Sequence, residues 1–147
     1  MEDKGYKIKY KFNARHNIKN NDIEDAHVHT FCINFYVEFK DKGMINMSYF
    51  QELIQKYFSK YNGKFINELE PFSTLCLPTT IENMAQIFYK DLKPMFLKND
   101  IELLSLDLGD SPFGLFSLSE SQEDKNVVFP NFRNGNIESL YKKVIGN

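Results

Sequence analysis

Residues 6–16 alternate. Tyr6, Ile8, Tyr10, Phe12 and Ala14 share one parity, and Lys7, Lys9 and Lys11 take the other. A period of two marks a half-buried β-strand. The run ends at His16. A polar, turn-prone stretch follows at 17–26, and a second strand-forming run, rich in Phe, Tyr, Val and Ile, starts at His27-Val28-His29 and continues to about Lys40. Two such runs across a polar loop predict an antiparallel hairpin, and the hairpin constrains everything after it.

All three histidines of the chain lie within the fourteen positions 16–29. Side chains alternate across a strand, so His27 and His29 project from one face, as do Phe12, Ala14 and His16 on the first strand. In the hairpin, His16 at the end of one strand meets His27 and His29 at the start of the next. Three imidazoles on one face with no fourth protein ligand is the ligand count of a catalytic zinc site, which keeps a position open for water or substrate. A His-x-His pair on a strand also occurs as plain surface chemistry, and the pattern alone leaves both readings open.

At 147 residues the chain is long enough for one domain with a sizeable core. Its 14 Phe and 8 Tyr without a Trp suit sheet packing. A net charge of −2, with acidic and basic residues well mixed, gives no basic footprint for nucleic acid or an anionic membrane. No apolar run approaches membrane-spanning length, and Met1-Glu2-Asp3-Lys4 does not open a signal peptide. Cys32 and Cys76 form neither a CxxC pair nor a disulfide framework, so a reduced, cytoplasmic protein is expected.

Beyond the hairpin, Asp41-Lys42-Gly43 predicts a turn and Met44–Met47 a short extended stretch. Ser48 with Gln51 reads as a capping box opening a helix. That helix carries Phe50, Leu53, Ile54, Tyr57 and Phe58 on one face and ends near Asn62-Gly63. Residues 64–77 read as irregular. Thr79 and Glu82 predict a second capping box, with Pro94 ending or kinking the helix behind it. Strands are expected at 101–108 and 113–119 around Gly109-Asp110-Ser111-Pro112, and a short helix at Ile137–Val144. The order ββααββ predicts an α+β fold: one four-stranded antiparallel sheet with two helices on one face. Its open edges invite pairing between subunits. Residues 1–119 form the expected domain and 120–147 a C-terminal extension.

These residues resemble the 6-pyruvoyl-tetrahydropterin synthase family, including its 6-carboxy-tetrahydropterin synthase branch. The signatures are Phe12-x-Ala14-x-His16, then His27-Val28-His29 where the family usually has His-Gly-His. Gly43-Met44-Ile45, Lys64-Phe65-Ile66-Asn67-Glu68 and Thr80-x-Glu82-Asn83 follow in order. The resemblance spans roughly 6–119. It implies the tunnelling fold, in which sheets of several subunits join into a β-barrel, as a homo-oligomer (trimer or hexamer). It also implies zinc on His16, His27 and His29, and 7,8-dihydroneopterin triphosphate as the usual pterin substrate.

The departures bear on function. The family's catalytic cysteine falls on Ile23, its Asp-His pair on Asn62 and Gly63, and its pterin-anchoring glutamate on Leu108, if Phe116 replaces a tyrosine. In some members a glutamate replaces the cysteine. Glu24, with Asp22 as the other flanking carboxylate, is the candidate here, although both also read as parts of a solvated acidic loop. Cys32 has the opposite parity to His27 and His29 and reads as a small buried hydrophobe. Asp110 shares parity with Leu108 and is a candidate grip for an amino-heterocycle, or the start of a turn. Thr80 and Glu82 fall where the family meets its substrate, and Glu82 also reads as a helix cap. Two functions follow: a divergent zinc-dependent lyase acting on a pterin, or a non-catalytic descendant keeping fold and metal for binding or assembly.

Overall fold

The structure, a computed structural model, describes residues 5–40 and 46–119. The Asp41-Lys42-Gly43 turn, the first half of the Met44–Met47 stretch, the Gly43-Met44-Ile45 signature and the expected extension with its helix at Ile137–Val144 lie outside the described residues. The elements run β1 (Tyr6–His16), β2 (His27–Phe39), α1 (Met47–Phe58), α2 (Phe72–Leu75), α3 (Ile81–Leu97), β3 (Ile101–Gly109) and β4 (Phe116–Ser119). The four strands form one antiparallel sheet, as the sequence predicts, and their order in it is β1-β2-β3-β4.

The hairpin register pairs Phe12 with Phe31, Ala14 with His29 and His16 with His27. Phe12, Ala14, Phe31, Ile33, Phe35 and Val37 are buried, so this face carries the core. Phe12 stacks between Phe31 and Phe58, at ring separations of 5.2 and 4.9 Å, and meets Phe88 of α3 edge-on. Fully burying such a ring contributes about 1.5–3 kcal/mol. The histidines continue the same face past its aromatic end.

β3 joins that face through a β-bulge. Val37 pairs with Leu103, but Tyr36 pairs with Ser105, so Leu104 is extra. Ile101 and Leu103 are buried before the bulge, and Leu106 and Leu108 after it. One inserted residue reverses the parity of all that follows. Phe35 then faces Leu106 and Ile33 faces Leu108. Asp110, two residues on, inherits that face.

Several local expectations are corrected. Asn46, not Ser48, caps α1, its side chain accepting from the Tyr49 N–H at 2.9 Å. The helix stops at Phe58, and turns carry the chain to Gly63, whose φ of +75° suits glycine. The 64–77 segment contains α2 and a 3-10 turn at Ile66–Glu68. Thr80, not Thr79, caps α3, accepting from the Asn83 N–H at 3.2 Å. Thr79 is buried and its hydroxyl bonds Asn67 instead. Pro94 sits inside α3 without ending it; one missing N–H is tolerated where the helix is held by buried Met84, Phe88, Leu92 and Phe96. β4 begins at Phe116, after a longer loop than the predicted four-residue turn. Cys32 does face away from the histidines, but it is half-buried and lies among Lys9, Lys11 and Asn34 on the other side of the sheet, so it is no core residue.

Candidate metal centre

The site is built on the last residue of β1. His16 is 2% exposed, walled by Phe31 at 5.2 Å and His29 at 5.1 Å between ring centroids. Its Nδ1 lies 2.7 Å from the carbonyl oxygen of Thr79. A carbonyl can only accept, so in the neutral ring Nδ1 carries the proton and Nε2 presents a lone pair. An outer partner of this kind is what orients a metal-binding histidine. Burial holds the His16 pKa below the ordinary histidine value, with His29 and His27 pushing the same way and the Thr79 bond and Asp110 opposing. The neutral form, which ligates metals, is thereby favoured.

Thr79 is held in place by a polar hub at Asn67. The buried Asn67 amide accepts from the Asn17 N–H at 3.0 Å and from the Thr79 hydroxyl at 3.0 Å. It donates to the carbonyls of Asn17 at 2.7 Å and Asn20 at 3.1 Å. One side chain thus ties the loop leaving His16 to the segment that contacts the His16 ring.

His29, half-buried, lies beside His16. Side-chain donor atoms of His16, His29 and Asp110 all fall within 4.8 Å of one another. That approaches the roughly 3.3–3.5 Å between donors around a shared zinc. Among the described residues this is the one cluster of His, Cys, Asp or Glu close enough to hold an ion. His27 lies outside it. It stands directly opposite His16 in the hairpin, exposed, with its ring 6.1 Å from that of His29. A buried imidazole with a fixed tautomer, a second imidazole and a carboxylate suit a divalent metal.

The other candidates occupy distinct places. Asp22 caps the 3-10 turn Ile23–Asp25, accepting from the Glu24 N–H at 3.0 Å, and both acidic residues are exposed. They sit in the loop linking the two histidine-bearing strands. Thr80 and Glu82 open α3 immediately after Thr79, whose carbonyl reaches His16. Leu108 is fully buried and paired with Phe116. Asn62 and Gly63 clamp β1: the Asn13 N–H donates to Asn62 Oδ1 at 3.0 Å, and the Gly63 N–H donates to the Asn13 carbonyl. In the sequence Thr79 reads only as a helix cap and Asn67 only as part of the 64–68 signature, and neither reads as a support of the histidine site. Thr79 acts through its backbone, which leaves no side-chain signal, and the partners of Asn67 come from a remote loop.

The profile of the 6-pyruvoyl tetrahydropterin synthase family matches residues 6–120. The chain belongs to that family. Among solved structures, the Caenorhabditis elegans 6-pyruvoyl tetrahydropterin synthase is similar at a TM-score of 0.64 and 18% identity, covering 80% of this chain and 95% of that one. An uncharacterized protein of Wolinella succinogenes matches at a TM-score of 0.56 and 12% identity, covering 81% and 100%. At such identities the two structures support the shared fold. No curated protein matches the chain. The 6-pyruvoyl tetrahydropterin synthase assignment agrees with the α+β architecture, and among the described residues no helix is long and apolar enough to cross a membrane.

Proposed function

We propose that this chain is a divergent zinc-dependent lyase of the 6-pyruvoyl tetrahydropterin synthase type, acting on 7,8-dihydroneopterin triphosphate or a related pterin. The observation that carries this reading is the buried His16, its Nδ1 tied to Thr79 and its ring clustered with His29 and Asp110. Zinc would be held by His16 and His29, with His27 as the third imidazole that the family resemblance implies. When bound, the metal lowers the cost of negative charge on substrate hydroxyl oxygens as a neighbouring proton leaves.

The chain's own residues do the rest. The hydrogen bond that the His16 Nδ1–H donates to the Thr79 carbonyl keeps the ring oriented. Thr80 and Glu82, beside Thr79, line the substrate side. Glu24, or Asp22, accepts the proton in place of the absent cysteine, from the loop joining the two histidine-bearing strands. A homo-oligomer, trimer or hexamer, forms by pairing the edges of β1 and β4 into a barrel. A cytoplasmic setting suits the two free cysteines.

A second reading has its own support. Leu108 is sealed in the core, and Asn62 and Gly63 serve as backbone clamps, so three family catalytic or anchoring positions hold structural residues. A non-catalytic member that keeps fold and metal fits that pattern. Incubating the zinc-loaded protein with 7,8-dihydroneopterin triphosphate separates the two. A 6-pyruvoyl-, 6-carboxy- or side-chain-cleaved pterin supports the lyase. Absence of product with zinc bound overturns it in favour of the second reading. Glu24→Gln should abolish turnover and leave the metal bound; retained turnover removes Glu24 from the chemistry.

A further inference from the structure

We propose that Asp110 is a protein ligand of this metal centre, placing a carboxylate oxygen beside the imidazoles of His16 and His29. The inference rests on the metal-centre reading above and deepens it: where the resemblance assigns three imidazoles, Asp110 takes the place of the exposed His27 as the third donor, which keeps one position open for substrate.

Three observations converge. A carboxylate oxygen of Asp110 and one ring nitrogen from each of His16 and His29 lie within 4.8 Å of one another, whereas His27 is not in that group. The placement is fixed by the backbone rather than by a long side chain. The bulge at Leu104 sets Asp110 on the His29 face, one residue beyond the Cys32–Gly109 pair and therefore level with Phe31. Gly109 then holds the following loop close. A Cβ there would lie 2.3 Å from the Gly114 carbonyl oxygen and 2.9 Å from that of Ser111, so the chain turns tightly just after Asp110. Finally, Asp110 is half-buried, and among the described residues neither ion pair involves it. A carboxylate drawn out of water beside two imidazoles gains most from a cation between them.

A carboxylate donor also changes the centre's character. Its negative charge offsets half of a divalent ion's charge, and its hard oxygen suits a wider range of first-row metals than an all-imidazole set.

The test is Co(II) and Zn(II) titration of the full chain, following the Co(II) d–d absorption. Asp110→Asn keeps the size but removes the anionic donor. It should weaken binding by about a hundredfold or more, beyond the ten- to hundredfold typical of losing an outer partner, and should change the d–d bands. Asp110→His supplies a different donor at the same place and should recover most of the affinity with a shifted spectrum. A purely electrostatic neighbour would not be replaced by a neutral imidazole. Circular dichroism of the metal-free variants checks that they fold. Binding by Asp110→Asn within about threefold of the unaltered chain, with the same spectrum, overturns the assignment. Retention of Co(II) by His16→Ala would instead remove the whole centre, and the role of Asp110 with it.

Discussion

The Nδ1 of His16 and the carbonyl oxygen of Thr79 lie 2.7 Å apart although 63 positions separate the two residues. This contact joins the end of β1 to the approach of α3, and it fixes which imidazole nitrogen is available. Metal binding should therefore stabilise the fold directly. At a metal concentration a hundredfold above Kd the gain is about 2.7 kcal/mol. For a chain of this size that raises Tm by roughly 5–10 °C. Differential scanning calorimetry with and without chelator should show this shift, and His16→Ala should abolish it.

Asn67 is the second support of the site. Removing its amide strands the Asn17 N–H and the Thr79 hydroxyl in a buried setting. Asn67→Ala should cost about 2–4 kcal/mol in urea unfolding. It should also weaken metal binding, because Thr79 loses its anchor. Asn67→Asp keeps the acceptor but sets a carboxylate oxygen against the Asn17 and Asn20 carbonyl oxygens, so it should destabilise at least as much as Asn67→Ala.

Gly109 tests the placement of the turn. Adding a methyl group there meets backbone oxygen atoms that cannot rotate away. Gly109→Ala should destabilise the fold by about 1–3 kcal/mol, the usual cost of overpacking. Metal affinity should fall as Asp110 is displaced. Chemical denaturation and Co(II) titration on the same sample would show whether the two losses travel together.

Tyr57 gives a pH-dependent prediction. Its hydroxyl donates to the Asp91 carboxylate at 2.6 Å. Burial first, and then the neighbouring Tyr61 and Asp91, raise its pKa well above 10.0. In the unfolded chain the phenol ionises near pH 10, earlier than in the folded one. The stabilisation is thus complete below about pH 10 and is lost as pH rises through the folded value. Tyr57→Phe should lower stability by about 1–3 kcal/mol at neutral pH and flatten its decline in alkali, as urea midpoints across pH 8–11 would show.

The period-two run at 6–16 and the aromatic-rich run from His27 were enough to specify the hairpin, because alternation ties side-chain face to register and only one register buries the phenylalanines. That same alternation placed His16, His27 and His29 on one face and turned Cys32 away. The stripe Phe50, Leu53, Ile54, Tyr57 and Phe58 likewise announced a helix with one face on the core, whereas the burial of Asn83–Tyr89 on every side of α3 came from its place in the fold. What the sequence could not settle depended on groups it does not display. The Thr79 carbonyl that orients His16 is a backbone atom, the same in every residue. The choice of Thr80 and Asn46 as caps turned on where each helix could begin against the sheet, since several neighbouring side chains offered suitable oxygens. The approach of Asp110 to His16 and His29 required the bulge at Leu104, because a single extra residue in β3 reverses every face beyond it. Local pattern determined the strands, the two long helices and the histidine face; the tertiary register decided which carboxylate stands beside them.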